Sequence, residues 1–290
     1  MSEWYQIESN QIIVQVVTKG AELKRLFNKV WNKELLWLAD QKVWDRSAPI
    51  LFPIVGKLKD DEFIFEEKVY QMPRHGFARD SEFVCTYCGD NRLEFTLTST
   101  SETYKMYPFS FLLKVTYTLV ESILKINYTV INTDNKEMYF SIGAHPGFDT
   151  KNIENIDIVF ENSEAHFFNL NSEGLVDFNK PIEFNSNLIK ISPELFKNDA
   201  LIFKKLKSRF VDIVDKKSLE IVRIRLSNQP YFGIWGKPTN QFVCLEPWNG
   251  IADTADHDKN LVNKIGIVKL APQKEFNFNY EIELIKGAIN

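Results

Sequence analysis

Three short stretches carry the side chains able to do chemistry. Ser141 to Phe148 reads Ser-Ile-Gly-Ala-His-Pro-Gly-Phe, an alternating strand that runs into glycine, proline and His145. Arg74-His75-Gly76-Phe77-Ala78-Arg79-Asp80 offers a second imidazole between two guanidinium groups, and Cys244-Leu245-Glu246-Pro247-Trp248 a carboxylate between apolar neighbours. Histidine is the usual proton carrier near neutral pH, and a glutamate in a partly apolar setting can be tuned toward the same range. His145 and Glu246 each precede a proline, which biases them toward extended backbone and fixes where their side chains hang. Together they could move two protons on one small substrate.

Each motif also has a plainer reading. His-Pro and Glu-Pro pairs occur in ordinary loops, and Arg74, Arg79 and Asp80 could form a surface ion-pair cluster around His75. Glu246 is different, because an unpaired carboxylate among Val243, Leu245 and Trp248 is costly and must be either bonded or functional. Of the four histidines, His166 sits beside Phe167 and Phe168 in an expected strand and reads as structural. His257, in Asp253-Thr254-Ala255-Asp256-His257-Asp258, reads as part of a solvated turn, since the run lacks the Gly and closing Glu of an EF-hand loop. Lys57, after Gly56, is a solvated loop charge or a substrate contact. Trp37, Trp44, Trp235 and Trp248 could stack on a sugar ring or simply fill the core.

The elements that must position these groups are strands. Alternation and β-branched enrichment predict strands at 4–7, 11–17, 62–65, 68–72, 82–86, 92–99, 111–119 and 124–130, and then at 156–161, 165–170, 210–214, 219–226, 231–235 and 242–245. A last strand over 276–284 is expected to close the sheet. Leu23, Leu26, Phe27, Val30 and Trp31 fit a helical period instead, and Ser192-Pro193-Glu194 predicts one short helical turn. With no linker, repeat or composition shift in 290 residues, the expectation is a single all-β domain over 1–290, a large sandwich or barrel.

Composition excludes several classes. The formal charge of -4, a pI near 5.7 and the lack of a long basic run argue against nucleic acid or anionic membrane as partner. The N-terminus has no signal-like core and no stretch approaches a membrane span, so a cytoplasmic location is expected. Three cysteines make no disulfide framework, and Cys85 and Cys88, although spaced C-x-x-C, read as structural thiols in a strand. No Rossmann fingerprint, phosphate-cradling loop or Gly-x-Ser-x-Gly elbow is present.

Taken in order, Pro-Arg-His-Gly-Phe-Ala-Arg-Asp, Gly-Ala-His-Pro-Gly-Phe and Leu-Glu-Pro-Trp resemble the aldose 1-epimerase (galactose mutarotase) family, in particular its LacX-like and hexose-6-phosphate-epimerase-like branch. The resemblance runs from about Ala21 to the last strand. It implies a galactose mutarotase-like supersandwich of antiparallel strands with an open sugar cleft, and it makes residues 22 to 31 extended rather than helical. It implies that His145 protonates the ring oxygen and Glu246 takes the proton of the anomeric hydroxyl, with no metal or other cofactor. By the same resemblance His75 and Asp199 bind the sugar, and Lys57 stands where many relatives have arginine, keeping the charge and losing the planar fork. Arg74, Arg79 and Lys57 could hold a phosphate on the substrate, and Trp235 lies among the aromatic candidates for sugar contact. The expected partner is a hexose or hexose phosphate. A non-catalytic carbohydrate-binding protein using the same cleft is the alternative, and the oligomeric state stays open.

Overall fold

The computed structural model describes residues 2–150, 155–192, 194–238 and 241–286. Nearly every regular element is an antiparallel strand, because the chain alternates apolar and polar side chains at a period of two. Phe111–Val120 is typical: Phe111, Leu113, Val115, Tyr117 and Leu119 point inward and are buried, while the residues between them face outward.

Two sheets dominate. The larger has nine strands in the order Ile182–Lys190, Ile156–Phe167, Phe210–Asp215, Glu220–Leu226, Glu275–Lys286, Ile123–Asn132, Phe111–Val120, Arg92–Thr98 and Val84–Cys88. The smaller runs Leu201–Lys204, Tyr231–Gly236, Phe242–Asn249, Ile142–Ala144 and Ile50–Leu51, with Gly147–Asp149 also paired to Phe242–Asn249. One hydrophobic core lies between them and takes side chains from Ile7 to Leu284. The smaller sheet gives Phe232, Ile234, Val243 and Leu245 to this core and turns Glu246, Trp248 and Trp235 the other way, as the pleat requires. That outward face carries the candidate site.

Several expectations change. Glu22–Asn28 is a strand, as the family resemblance implied and the helical period did not. The reason is a bulge: Gln15 pairs with Arg25 but Val16 with Leu23, so Lys24 is the extra residue. The bulge moves the alternation by one place and brings Leu23 and Leu26 to the same buried side. A three-residue spacing that resembles a helix is therefore a bulged strand. The last strand, Glu275–Lys286, does not close an edge but lies mid-sheet, between Glu220–Leu226 and Ile123–Asn132. The stretches 156–161 and 165–170 form one strand to Phe167, and the edge strand Ile182–Lys190 was not expected. Ser101–Met106 is a short helix the strand pattern does not announce, started by a reciprocal cap between Thr100 and Thr103. Residues 194 to 198 form hydrogen-bonded turns, with Leu195 N–H donating to Ser192 C=O at 3.1 Å; Pro193, on which the short-helix expectation also rested, lies outside the described residues. No helix among the described residues is long and apolar enough to cross a membrane.

Candidate active site

His145 occupies a break in a strand. Ile142–Ala144 and Gly147–Asp149 both pair with Phe242–Asn249, and the register is the same on each side of the break, with Gly143 opposite Trp248 and Gly147 opposite Cys244. The position left between them puts His145 opposite Glu246. Pro146 has no N–H for the ladder, so the pairing loosens at this point while its carbonyl still accepts Leu245 N–H at 3.2 Å. The result is a short approach of two side chains, His145 Nε2 to Glu246 Oε2 at 3.2 Å.

Both groups are buried, Glu246 to 1% exposure and His145 to 8%. The carboxylate oxygens and His145 Nδ1 have no hydrogen-bond partner, so the 3.2 Å approach is a close contact without hydrogen-bond alignment. Burial pushes the Glu246 carboxyl well above its ordinary range; the nearby Asp199 charge adds to this and Arg74 opposes it. Burial likewise lowers His145 to about 3, and Arg79, Arg74 and Arg46 push it in the same direction. The two therefore titrate as a unit that favours one shared proton and no net charge.

His75 faces the pair, its ring 5.7 Å from that of His145 at 83°. Gly56 N–H donates to His75 Nδ1 at 3.1 Å, and His75 N–H donates to Gly56 C=O at 2.9 Å. With Nδ1 accepting, the ring proton is assigned to Nε2. Burial, then the His145 and arginine charges, hold His75 well below its ordinary value, so it is a neutral donor. The backbone of both partners is left-handed, with φ of 70° at His75 and 76° at Gly56. At Gly56 only glycine fits, since a Cβ would come within 2.7 Å of Ala252.

The remaining walls are aromatic and cationic. Trp44 stacks on Phe242 at 5.0 Å and leans on His145 at 5.1 Å, and Trp235 meets His145 edge-on at 5.5 Å. Trp44 is held by its carbonyl, which accepts the Trp37 indole N–H at 2.8 Å, and by Gly147, whose missing side chain leaves room for the ring. Arg74 pairs with Asp199 at 3.2 Å, and Arg79 donates to Arg74 C=O at 2.7 Å.

These groups enclose a cavity of about 210 Å³, smaller than pockets for drug-sized ligands and of the size for one monosaccharide. Of the residues singled out in the sequence, His145, Glu246, His75, Arg74, Arg79, Asp199 and Trp235 all line it. Lys57 does not. It lies in an adjoining polar groove with Asp61, its ion-pair partner at 3.7 Å, and that groove shares Arg74 and Asp199 with the cavity. Gly56 turns through a left-handed backbone at the cavity wall, and Lys57 comes out of that turn into the groove. Lys57→Ala is accordingly expected to leave turnover of an unphosphorylated hexose unchanged and to shift stability by less than about 1 kcal/mol, measured by KM and a denaturant titration.

Sequence reasoning had named Trp44 and Trp248 only as aromatic candidates, and it missed Leu170, Ile251 and Ala252 in the wall. Loops deliver those three, and no local motif marks them. His166 lies exposed on its strand, edge-on to Phe168 at 5.2 Å. His257 departs from the expected solvated turn: its side chain is largely buried, 3.8 Å from Asp253 and 3.5 Å from Asp258. Cys85 and Cys88 are free thiols in a strand, as expected.

Among the described residues, one trio brings metal-binding atoms within 4.8 Å of one another: His145, Cys244 and Glu246. A metal there would occupy the atoms that proton transfer needs. What the arrangement can do unaided is general acid–base chemistry on a neutral, hydroxyl-rich ligand.

The family model described as aldose 1-epimerase matches residues 3–259. The chain is 34% identical to a galactose mutarotase related enzyme from Lactobacillus acidophilus, with a TM-score of 0.93 and coverage of 98% of this chain and 97% of that one. A galactose mutarotase-like protein from Lactobacillus casei superposes with a TM-score of 0.90 at 28% identity, covering 98% and 100%. Protein LacX from Lactococcus lactis subsp. lactis is 29% identical over 296 aligned residues, 97% of this chain and 99% of the relative. The fold is thus galactose mutarotase-like, and the chain belongs to the aldose 1-epimerase family.

Proposed function

We propose that this protein is a cytoplasmic mutarotase that interconverts the α and β anomers of a hexose, with His145 and Glu246 as its acid–base pair. The observation that carries the reading is the approach of these two buried, otherwise unbonded groups to 3.2 Å at the wall of a sugar-sized cavity.

The reacting tautomer, the minor one at rest because burial favours the neutral pair, carries the proton on His145 and the charge on Glu246. Glu246 takes the proton of the anomeric hydroxyl, the O–H electrons form the C1 carbonyl, the bond from C1 to the ring oxygen breaks, and His145 protonates that oxygen. Rotation about C1–C2 presents the other carbonyl face, and closure returns both protons. The site keeps its net charge throughout, so no ion has to be desolvated during the reaction. Ring opening leaves His145 neutral and Glu246 protonated, which is the arrangement burial favours. Arg74 and Arg79 make the imidazolium a stronger acid by repulsion. His75, with its proton on Nε2, can donate to a sugar oxygen, and the Arg74–Asp199 pair offers both donors and acceptors to hydroxyls.

The cations in and beside the cavity mostly face carboxylates: Arg74 pairs with Asp199 and Lys57 with Asp61. A phosphate would have to compete with those partners, which favours a neutral hexose over a hexose phosphate. The test is mutarotation of freshly dissolved α-glucose, α-galactose and α-glucose 6-phosphate, followed by polarimetry. Acceleration of a free hexose in proportion to protein is expected. Saturable sugar binding with no acceleration of any of the three would leave a carbohydrate-binding protein instead.

A further inference from the structure

Lys264 is a cation that none of these proton transfers uses, yet its side chain is 0% exposed. Its ammonium donates to Ile251 C=O at 2.7 Å and pairs with Asp253 at 2.6 Å. Asp253 is equally enclosed and works in four directions. Its second carboxylate oxygen accepts Lys59 N–H at 2.9 Å, its N–H donates to Lys57 C=O at 2.9 Å, its C=O accepts Val176 N–H at 2.9 Å, and His257 Nε2 stands 3.8 Å from its first oxygen. Asp253 thus fastens residues 251–253 to residues 57–59 and to Val176, and the buried ammonium anchors that knot at both Ile251 and Asp253.

That fastening reaches the cavity. Ile251 and Ala252 are part of its wall. Ala252 is packed on Gly56 so closely that a Cβ at Gly56 would lie 2.7 Å from the Ala252 nitrogen and Cβ. Gly56 in turn both donates to His75 Nδ1 and accepts from His75 N–H. The chain of contacts from Lys264 to the His75 ring has no link through solvent.

A buried ion pair adds little net stability over apolar side chains of equal volume, because both charges lose their hydration. What apolar side chains cannot supply is a directional hold on the Ile251 carbonyl. We propose that Lys264 is a positioning residue: it seats Ala252 against Gly56 and so fixes the His75 ring with Nδ1 accepting and Nε2–H directed to the sugar. The kinetic side of this rests on the mutarotase reading; the structural side does not.

Two variants test it. Lys264→Met removes the ammonium, and since it leaves Asp253 buried alone, Lys264→Met/Asp253→Asn serves as the companion that keeps an acceptor for Lys59 N–H without a stranded charge. The readouts are long-range proton–nitrogen NMR of the His75 ring, assigned with His75→Gln, and separate kcat and KM values. The expected result in the folded double variant is loss of the hydrogen-bonded Nδ1 signature, with KM raised about tenfold or more and kcat little changed, as a misplaced binding group predicts. A double variant that melts earlier yet keeps the parental His75 spectrum and KM would overturn the proposal and leave Lys264 a purely structural residue. If the parent turns over no sugar, the mutarotase reading fails, and the His75 spectrum alone still decides whether Lys264 positions that ring.

Discussion

Glu246→Gln is expected to abolish most turnover, by about 10²- to 10⁴-fold in kcat, and at the same time to make the folded protein more stable above neutral pH. Glutamine keeps the shape of the side chain but can neither take nor carry the anomeric proton. The stability gain follows from proton counting. Folded, His145 and Glu246 share one proton over a wide range, because burial lowers the first to about 3 and raises the second well above 4.5. Unfolded, they titrate near 6.5 and 4.5. Between those two values both states hold one proton, and stability does not depend on this pair. Above 6.5 the unfolded chain holds none, so folding takes up a proton and stability falls as pH rises. Below 4.5 the unfolded chain holds two, and stability falls again. The glutamine variant escapes the alkaline loss. Its advantage over the parent should widen as pH rises above 4.5 for as long as the folded carboxyl stays protonated, read from denaturant midpoints at pH 6, 7 and 8. A constant difference across that range would mean the carboxyl is ionised in the folded state.

Gly233→Ala is expected to lower stability by about 1–3 kcal/mol, the usual cost of overpacking, and to raise KM severalfold. Gly233 sits across the ladder from Glu246, and a Cβ there would lie 2.4 Å from the far edge of the Trp248 ring. On the other side Gly143, opposite Trp248, leaves the same ring only enough room that a Cβ would be 2.6 Å from it. Two glycines on the flanking strands thus make the slot in which Trp248 lies as cavity wall. Filling one side forces the ring toward the sugar. Thermal melting and KM measured on the same preparation check the two halves of this expectation, and an unchanged KM would show that the ring yields away from the cavity.

The strands and most of the cavity were legible in the sequence because they depend on local properties. Alternating side chains give strands such as Phe111–Val120, and an ionisable residue fixed before a proline gives His145 and Glu246. What could not be read is whatever depends on pairing between distant segments. That His145 falls opposite Glu246 is a fact of register across two separate strand pieces. The bulge at Lys24 writes a helical spacing into a strand. The edge strand Ile182–Lys190 leaves little but Ile189 buried, so it has no apolar alternation to announce it. Lys57, open in the sequence between loop charge and substrate contact, lies in the adjoining groove because the chain turns at Gly56, whose backbone is left-handed. Trp44 reaches His145 from a loop whose course only the folded protein defines.

The central claim is that His145 and Glu246, holding one proton between them, carry out both proton transfers of a ring-opening reaction. The most direct measurement is the approach to anomeric equilibrium of the preferred hexose, followed by NMR, with the parent, His145→Asn and Glu246→Gln at matched folding and matched sugar occupancy. Faster approach with the parent, an unchanged final anomer ratio and loss of the acceleration in each single variant is the predicted result. Acceleration that survives in either variant would contradict the claim and move the chemistry to another group in the cavity.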